Sequence, residues 1–354
     1  MSSSAAPNGD LENSDHSQLS GAPVVSVFMI TYQHAAFIRE ALDSVLMQQV
    51  DFPYEICIGE DGSTDGTREI CLEYARQHPD KIRLFLRNRC NPGRSAFKAP
   101  YMFNAASTFE ACRGKYIAPL EGDDYWLHPH KLQSQVNELE ADSSLAASCH
   151  YALAVMEKKP WTGEVIPDYP VDTLTVENIL RRDIGNLHTS TWLIRRGKPL
   201  PWNKFSSSSF GDYPIFVWTM LQGPARILPN VWSAYRIHQG GVFSRLSTEI
   251  RLQNNVELWN CLESITPPHL TSGVVIGTVR TLTMYVAALG KAGKYGEALK
   301  YLRKTWAEIE RLPSSAPERR QLWWWALVAL FIPHLQGARN HWNRWRINRK
   351  LFPS

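Results

Sequence analysis

The sequence predicts an α/β fold: a largely parallel sheet covered by helices on both faces, followed by a helical extension. Three observations predict it. Short apolar, β-branched runs alternate with stretches of helical spacing from Val24 to Leu120. Acids gather where two of those runs end, and beyond Ser247 only helical periodicity remains. Strands that alternate with helices join as parallel βαβ units, and a parallel sheet needs cover on both faces.

Val24 to Ile30 is almost wholly apolar and reads as a buried strand. Phe37, Ile38, Ala41, Leu42, Val45 and Leu46 then recur at helical spacing. Tyr54 to Ile58 is a second strand, running into Gly59-Glu60-Asp61-Gly62-Ser63, and Thr64 or Asp65 is placed to cap the helix that buries Ile70, Cys71, Tyr74 and Ala75. Ile82 to Leu86 is a third strand, Asn91-Pro92-Gly93 a turn, Met102 to Cys112 a helix and Lys115 to Leu120 a fourth strand. Thr189 to Ile194 and Arg226 to Tyr235 read as further strands in a less regular stretch. Leu252, Val256 and Trp259 mark one helix, and Val274 to Leu289 and Tyr295 to Ile309 mark two more, joined at Gly290-Lys291-Ala292-Gly293. The spacing divides the chain into a disordered leader (1–22), a catalytic-type domain (23–246), a helical region (247–312) and an amphipathic, tryptophan-rich and basic tail (313–354).

Composition sets further bounds. A net charge of +4 does not imply a nucleic-acid-binding surface. The six cysteines, Cys57, Cys71, Cys90, Cys112, Cys149 and Cys261, contain no CxxC pair and mostly sit in apolar patterns, which favours reduced thiols and a cytosolic compartment over zinc or disulfides. The first residues are rich in Ser, Asn, Asp and Gly and carry no apolar signal-peptide core. In the tail, Leu322 to Ile332 is apolar and includes Trp323, Trp324 and Trp325. As a helix it would rise roughly 17 Å at ~1.5 Å per residue, too short for a hydrocarbon core of about 30 Å. Arg339, Arg344, Arg346, Arg349 and Lys350 follow, interleaved with Trp342, Trp345 and Phe352. Two readings stay open for this tail: peripheral docking at an anionic membrane, or a core helix with a basic end.

The chemistry is concentrated in Ile117-Ala118-Pro119-Leu120-Glu121-Gly122-Asp123-Asp124-Tyr125-Trp126. An apolar strand here delivers three carboxylates to its carboxyl end, where open α/β sheets bind ligands. Carboxylates packed so closely repel unless a cation sits among them, and oxygen-only donors suit Mg²⁺ or Mn²⁺ shared with phosphates. Glu60-Asp61 stands at the end of a second strand, so the two acidic ends can meet in one crevice.

Together, Val25 to Gln33, Glu60-Asp61-Gly62-Ser63-Thr64-Asp65-Gly66-Thr67 and Glu121-Gly122-Asp123-Asp124-Tyr125-Trp126 resemble family 2 glycosyltransferases of the GT-A fold. The match covers Pro23 to Ser148 well and extends more loosely through Gly211-Asp212-Tyr213 and Tyr235 to Gly241. The resemblance implies a Rossmann-like GT-A sheet and inverting transfer from a nucleotide-sugar donor, expected to be a UDP-sugar, to a glycan or lipid-linked hydroxyl. It sets Thr31 and Tyr32 against the nucleoside, with Asp61 bonding the base and Glu60 beside it. Asp123 is then the principal metal ligand and Glu121 a second one, standing where the family often has an aspartate; Asp124 contacts the metal shell or the sugar. Arg94, with Lys98 nearby, falls where the family approaches the diphosphate, and Arg236 and His238 lie in the segment that folds over it. Asp212 matches the general base of inverting members; from the residues alone it is a helix N-cap.

Other enzyme classes fit less of the chain. A sugar nucleotidyltransferase would carry a glycine-rich basic loop after the first strand, where Tyr32-Gln33-His34-Ala35 stands. A dehydrogenase would carry GxGxxG there. A haloacid-dehalogenase phosphatase needs an aspartate at the place of Ser63. A non-catalytic scaffold of the same fold held at a membrane is the remaining alternative.

Overall fold

A computed structural model of the chain describes residues 4–5, 10–14, 17–19, 21–156, 159–166, 171–182, 187–241 and 246–331. Its strands are β1 (Ser4–Ala5), β2 (Leu11–Asn13), β3 (Val25–Thr31), β4 (Tyr54–Glu60), β5 (Ile82–Leu86), β6 (Tyr116–Glu121), β7 (Tyr125–Trp126), β8 (Ala147–Met156), β9 (Lys159–Ile166), β10 (Thr173–Leu174), β11 (Leu193–Arg195) and β12 (Ala225–Ile237). The helices are α1 (Ile38–Leu46), α2 (Thr67–Gln77), α3 (Tyr101–Ala111), α4 (Lys131–Ala141), α5 (Val176–Leu180), α6 (Trp202–Phe205), α7 (Asp212–Met220), α8 (Thr248–Ile265), α9 (Thr271–Lys291), α10 (Tyr295–Glu310) and α11 (Glu318–Phe331).

One sheet runs in the order β1-β2-β5-β4-β3-β6-β11-β8-β12-β10. Its centre, β5-β4-β3-β6, is parallel, as the alternation of strands and helices requires. Alternate side chains point to opposite layers. On β3, Val25, Val27 and Met29 pack with Ile38 and Leu42 of α1, while Phe28 packs on the other face with Phe109 of α3. β4 repeats the pattern, with Ile56 and Ile58 on the α1 side and Cys57 on the α3 side.

The second half of the sheet departs from the expected parallel pattern. β11 enters antiparallel between β6 and β8, and β12 then runs parallel to β8. The expected strand Thr189–Ile194 is in part a 3-10 turn, Thr189–Thr191, before β11 begins at Leu193. Thr191 Oγ1 donates to the His188 carbonyl at 2.8 Å, and local side-chain bonds of this kind compete with a ladder. Two caps also differ. Gly66, not Thr64 or Asp65, is the N-cap of α2, at φ 102°, a left-handed conformation that favours glycine. Asp65 instead accepts bonds from the amide and hydroxyl of Thr67. Asp212 is the first residue of α7, preceded by Gly211 as N-cap.

Residues 10–13 correct the expectation of a disordered leader. β2 pairs antiparallel with β5, setting Leu11 opposite Leu86 and Asn13 opposite Leu84. Glu12 meets Arg83 at 2.9 Å, and Asp10 is only 5 % exposed. The helical region packs on the sheet domain through α8, whose Leu258, Trp259, Cys261, Leu262 and Ile265 belong to the same core as α3 and α7. α9 lies among α8, α10 and α11 in a second core. It is long and apolar enough to cross a membrane by length and composition, and most of it is buried inside the protein. α11 buries Leu322, Ala326 and Ala329 in that core, stacks Trp323 on Trp306 at 5.5 Å, and leaves Trp324 and Leu327 exposed. The basic and aromatic residues Arg339, Trp342, Arg344, Trp345, Arg346, Arg349, Lys350 and Phe352 lie outside the described residues.

Candidate active site

Strand register builds the site. Thr31 lies opposite Glu60 across β3 and β4, and Ile30 opposite Glu121 across β3 and β6, so three parallel strands end side by side. The chain then turns sharply after β6. A Cβ on Gly122 would come within 2.6 Å of Thr31 Oγ1 and 3.0 Å of the His34 ring, so only glycine lets the acidic turn close against β3.

The acids of that turn differ in setting: Asp124 is buried, and Glu121 and Asp123 are half-buried. Asp123 accepts from His238 Nε2 at 3.0 Å, and His34 Nε2 lies 3.6 Å from the same oxygen. Burial pushes the Asp123 carboxyl up, but the two imidazoles outweigh it and hold it below the usual carboxylate range. Glu121 has no such support. One of its oxygens is buried without a hydrogen-bond partner among the described residues. Burial first, then the charges of Asp123 and Asp212, push its carboxyl up to about 8, while the Thr189 hydroxyl pulls the other way. Asp212 brings a third carboxyl from the start of α7. Its Oδ1 accepts from the Tyr213 amide at 2.8 Å and its Oδ2 from Thr189 Oγ1 at 3.4 Å. Burial raises it above the ordinary carboxylate value, against those hydrogen bonds.

A buried oxygen without a hydrogen-bond partner, set amid like charges, is a chemical fit for a cation. Among the described residues no three His, Cys, Asp or Glu side chains close into a ready-made metal cage. The donors instead suit an Mg²⁺ or Mn²⁺ ion that keeps positions open for phosphate oxygens, with Asp123 and Glu121 as the residues to hold it.

Beside this cluster, the end of β3 and the loop after β4 form a second subsite. The Tyr32 ring is 39 % exposed and carries the Arg89 guanidinium 4.1 Å from its centroid. Asp61, buried below, pairs with Arg94 and lies 3.3 Å from Arg89. Thr31 is buried and lies 3.3 Å from His34 Nδ1 through its hydroxyl.

Several of the expected residues are paired within the protein, as buried charges require. Glu60 faces inward, accepting from the Ser63 amide at 2.6 Å and from Arg68 Nε. It thereby holds the loop that carries Asp61. Asp124 is buried, its Oδ1 bonded to the Arg236 amide at 2.8 Å and its Oδ2 3.7 Å from His188 Nε2. Arg236 donates to the Asp123 carbonyl and to Glu40 of α1, its guanidinium flanked by the Phe37 and Tyr125 rings at 4.8 and 4.9 Å. It braces the acidic turn instead of reaching outward. Arg94 reaches Asp61, and Lys98 pairs with Glu257 on α8.

The sequence reading passed over four residues that belong here: His34, Arg89, His188 and Thr189. His34 carried a usable signal, since it follows directly on a parallel strand whose carboxyl end faces the site. Thr189 and His188 carried none, because the irregular segment around them reaches the site only through the tertiary fold. His188 packs on Tyr235 at 4.3 Å, and burial lowers its pKa to about 4, so it stands neutral beside Asp124.

Known proteins resemble this chain in ways that match the geometry. Residues 26–198 match the family model described as Glycosyl transferase family 2. The uncharacterized protein Rv1520 of Mycobacterium tuberculosis is 31% identical over 230 residues, 64% of this chain and 62% of that protein, so the match spans under two thirds of the relative's length. The hyaluronan synthase of Pasteurella multocida is 33% identical over 132 residues, 37% of this chain and 12% of the synthase. A solved structure of S. aureus TarS, residues 1–349 in complex with UDP-GlcNAc, matches with a TM-score of 0.59 at 14% identity, covering 90% of this chain and 92% of that one. That last likeness is one of fold.

Proposed function

We propose that this chain is a glycosyltransferase of family 2, whose model matches residues 26–198, and that it moves a sugar from a uridine diphosphate donor to a hydroxyl of a glycan or lipid-linked acceptor, inverting the anomeric centre. The observation that carries the proposal is the meeting of Glu121, Asp123 and Asp212 in one half-buried acidic cluster, beside the Tyr32–Asp61 subsite on the adjoining strand ends. Supporting the choice of donor, the fold neighbour TarS is described in complex with UDP-GlcNAc and with UDP. Supporting a glycan product, the sequence relatives include hyaluronan and chondroitin synthases.

In this reading Tyr32 lies along the nucleoside and Asp61 bonds the base. Asp123 and Glu121 are the residues that would hold an Mg²⁺ or Mn²⁺ ion, which when bound would supply positive charge for the departing nucleotide. His238 and His34 fix the Asp123 carboxylate, and Arg236 and Asp124 lock the turn that carries it. Asp212 takes the proton from the acceptor hydroxyl as that oxygen attacks the anomeric carbon. Its burial-raised pKa suits it as a base, because proton transfer is most effective when the acceptor's pKa approaches working pH. One displacement suffices, so no Ser or Cys nucleophile is needed.

The reading also places the protein peripherally on the cytoplasmic face of a membrane. One face of α11 packs in the helical core while Trp324 and Leu327 stand exposed on it, and the sequence that follows is rich in arginine and aromatic residues.

The test is a panel of nucleotide sugars offered with Mn²⁺ or Mg²⁺ and with glycan or lipid-linked acceptors. Acceptor-dependent release of UDP, with a product heavier by one sugar, is the expected result. Release of pyrophosphate from a nucleoside triphosphate and a sugar phosphate would favour the nucleotidyltransferase alternative. No turnover with any donor would favour the scaffold.

A further inference from the structure

We infer that the N-terminal arm is a part of the donor site, with Asp10 acting as a positioning residue for the subsite that takes the nucleoside diphosphate. This deepens the proposed function and rests on Asp61 belonging to that subsite. Asp10 is 5 % exposed, and both of its carboxylate oxygens are engaged by the loop that follows β5. Oδ1 accepts from the Asn88 amide at 2.7 Å and Oδ2 from Asn91 Nδ2 at 3.1 Å, with Arg87 Nη1 3.7 Å away.

Each of those asparagines in turn shapes the arginine that reaches the site. The Asn88 carbonyl accepts from Arg94 Nε at 3.0 Å. Asn91 Oδ1 accepts from the Gly93 amide at 2.9 Å, capping the 3-10 turn Pro92–Ala96 on which Arg94 sits. Arg94 then grips the Asp61 carboxylate, and Arg89, from the same loop, donates to the Asp61 carbonyl at 3.1 Å and covers Tyr32. Asp10 therefore reaches Asp61 by two short routes: through the Asn88 backbone, whose carbonyl takes Arg94, and through Asn91, which caps the turn that carries Arg94; Arg94 then grips Asp61.

The arm is anchored for this task. Pairing of β2 with β5 seats Leu11 to Asn13 on the sheet edge, and Glu12 joins Arg83 on the strand itself. Removing the Asp10 carboxylate leaves two asparagines without their buried acceptor and frees the loop carrying both arginines. The geometry of the Tyr32–Asp61 subsite then relaxes, while the acidic cluster on β6 and α7, which Asp10 does not touch, stays as it was.

The experiment measures UDP binding by calorimetry, and donor KM and kcat, for the full-length protein and for Asp10→Ala, Asp10→Asn, Glu12→Gln and Asp61→Ala. Asp10→Ala is expected to weaken UDP binding and raise donor KM by about tenfold or more while kcat at saturating donor stays within about twofold. Asp10→Asn, which keeps one acceptor, is expected to fall between the parent and Asp10→Ala. Glu12→Gln weakens the arm's ion pair with Arg83 while leaving the Asp10 carboxylate in place, so it is expected to lower thermal stability and to weaken UDP binding by about threefold at most, well short of Asp10→Ala. Parent-like UDP affinity in a folded Asp10→Ala, alongside lost binding in Asp61→Ala, would overturn the inference and leave the proposed function standing. An equal loss of affinity in Glu12→Gln and Asp10→Ala would also overturn it, reducing the arm to a general support. A parent protein that binds no UDP would remove the proposed function and this inference together.

Discussion

His238 Nε2 lies 3.0 Å from Asp123 Oδ2, although the two residues sit on separate strand ends, one after β6 and the other after β12. β7 pairs with β12, setting Tyr125 opposite Ala234, and this pairing carries the histidine back over the acidic turn. The contact lowers the Asp123 carboxyl below its ordinary range in a cluster where burial raises that of Glu121.

Asp123→Asn removes that charge with little change in volume. Turnover is expected to fall by about 10²-fold or more, with the thermal midpoint close to that of the parent, because the turn remains braced by Arg236. Chelation of the parent is expected to produce a loss of similar size, reversed by Mn²⁺ or Mg²⁺. Steady-state rates with and without chelator decide the matter, and full activity of the parent in chelator removes the metal from the mechanism.

Glu121 supplies a dependence on pH. Its carboxyl is raised from 4.5 to about 8 in the folded protein, so between those values the folded state holds a proton that the unfolded chain has released. Stability of the ion-free protein therefore falls as pH rises through that window, and flattens above about 8. Glu121→Gln removes the dependence. In chelator the variant is expected to melt above the parent at pH 8, by a few degrees at ~2–4 °C per kcal/mol, and to draw level near pH 5. Stabilisation of the parent by Mn²⁺ is expected to grow over the same rise in pH, because the ion must displace that proton. Parallel melting curves at both pH values would contradict the assignment.

Asp212→Asn separates chemistry from binding. Donor affinity is expected to stay near that of the parent while kcat falls by ~10²–10⁴-fold. Among the described residues its carboxylate bonds only Thr189 and its neighbour Tyr213, so the variant is expected to keep the fold. Calorimetry beside initial rates reads both quantities, and lost donor binding with kcat retained would reverse the roles assigned to Asp212 and Asp61.

The tail is tested with vesicles. Because α11 is part of the helical core, the informative deletion is 333–354, which leaves that helix in place. Flotation with anionic vesicles is expected to fall on deletion and on raising salt, since each basic side chain near such a surface contributes about 1 kcal/mol, screened over a Debye length of ~8 Å. Transfer to a soluble acceptor is expected to continue. Unchanged flotation would leave α11 as a core helix and nothing more.

The parallel half of the sheet was legible because buried parallel strands are continuous apolar runs. That pattern marked Val24 to Ile30, which forms β3 as Val25–Thr31, and Ile82–Leu86, and led to the acids at Glu60-Asp61 and Glu121-Gly122-Asp123-Asp124. It could not say which way a carboxylate turns. Glu60 and Asp61 are adjacent, yet one grips the Ser63 amide from inside and the other faces the arginines of a distant loop. Nor could it find the N-terminal arm. Asp10 and Glu12 look like solvated leader residues until Arg83, Arg87, Asn88 and Asn91 come to meet them across the sheet edge, and no local pattern records so long a separation. Thr189 was hidden for a related reason: its β-branched neighbourhood reads as strand, while its own turn places the hydroxyl against Asp212.

The measurement closest to the centre is the anomeric configuration of the first-formed product, followed by proton NMR as UDP is released from an α-linked UDP-sugar with Mn²⁺ and acceptor present. The proposed single displacement, with Asp212 as the base, predicts a β-linked product formed in step with UDP. An α-linked product, or UDP release with the sugar delivered only to water, would contradict a single displacement directed by Asp212.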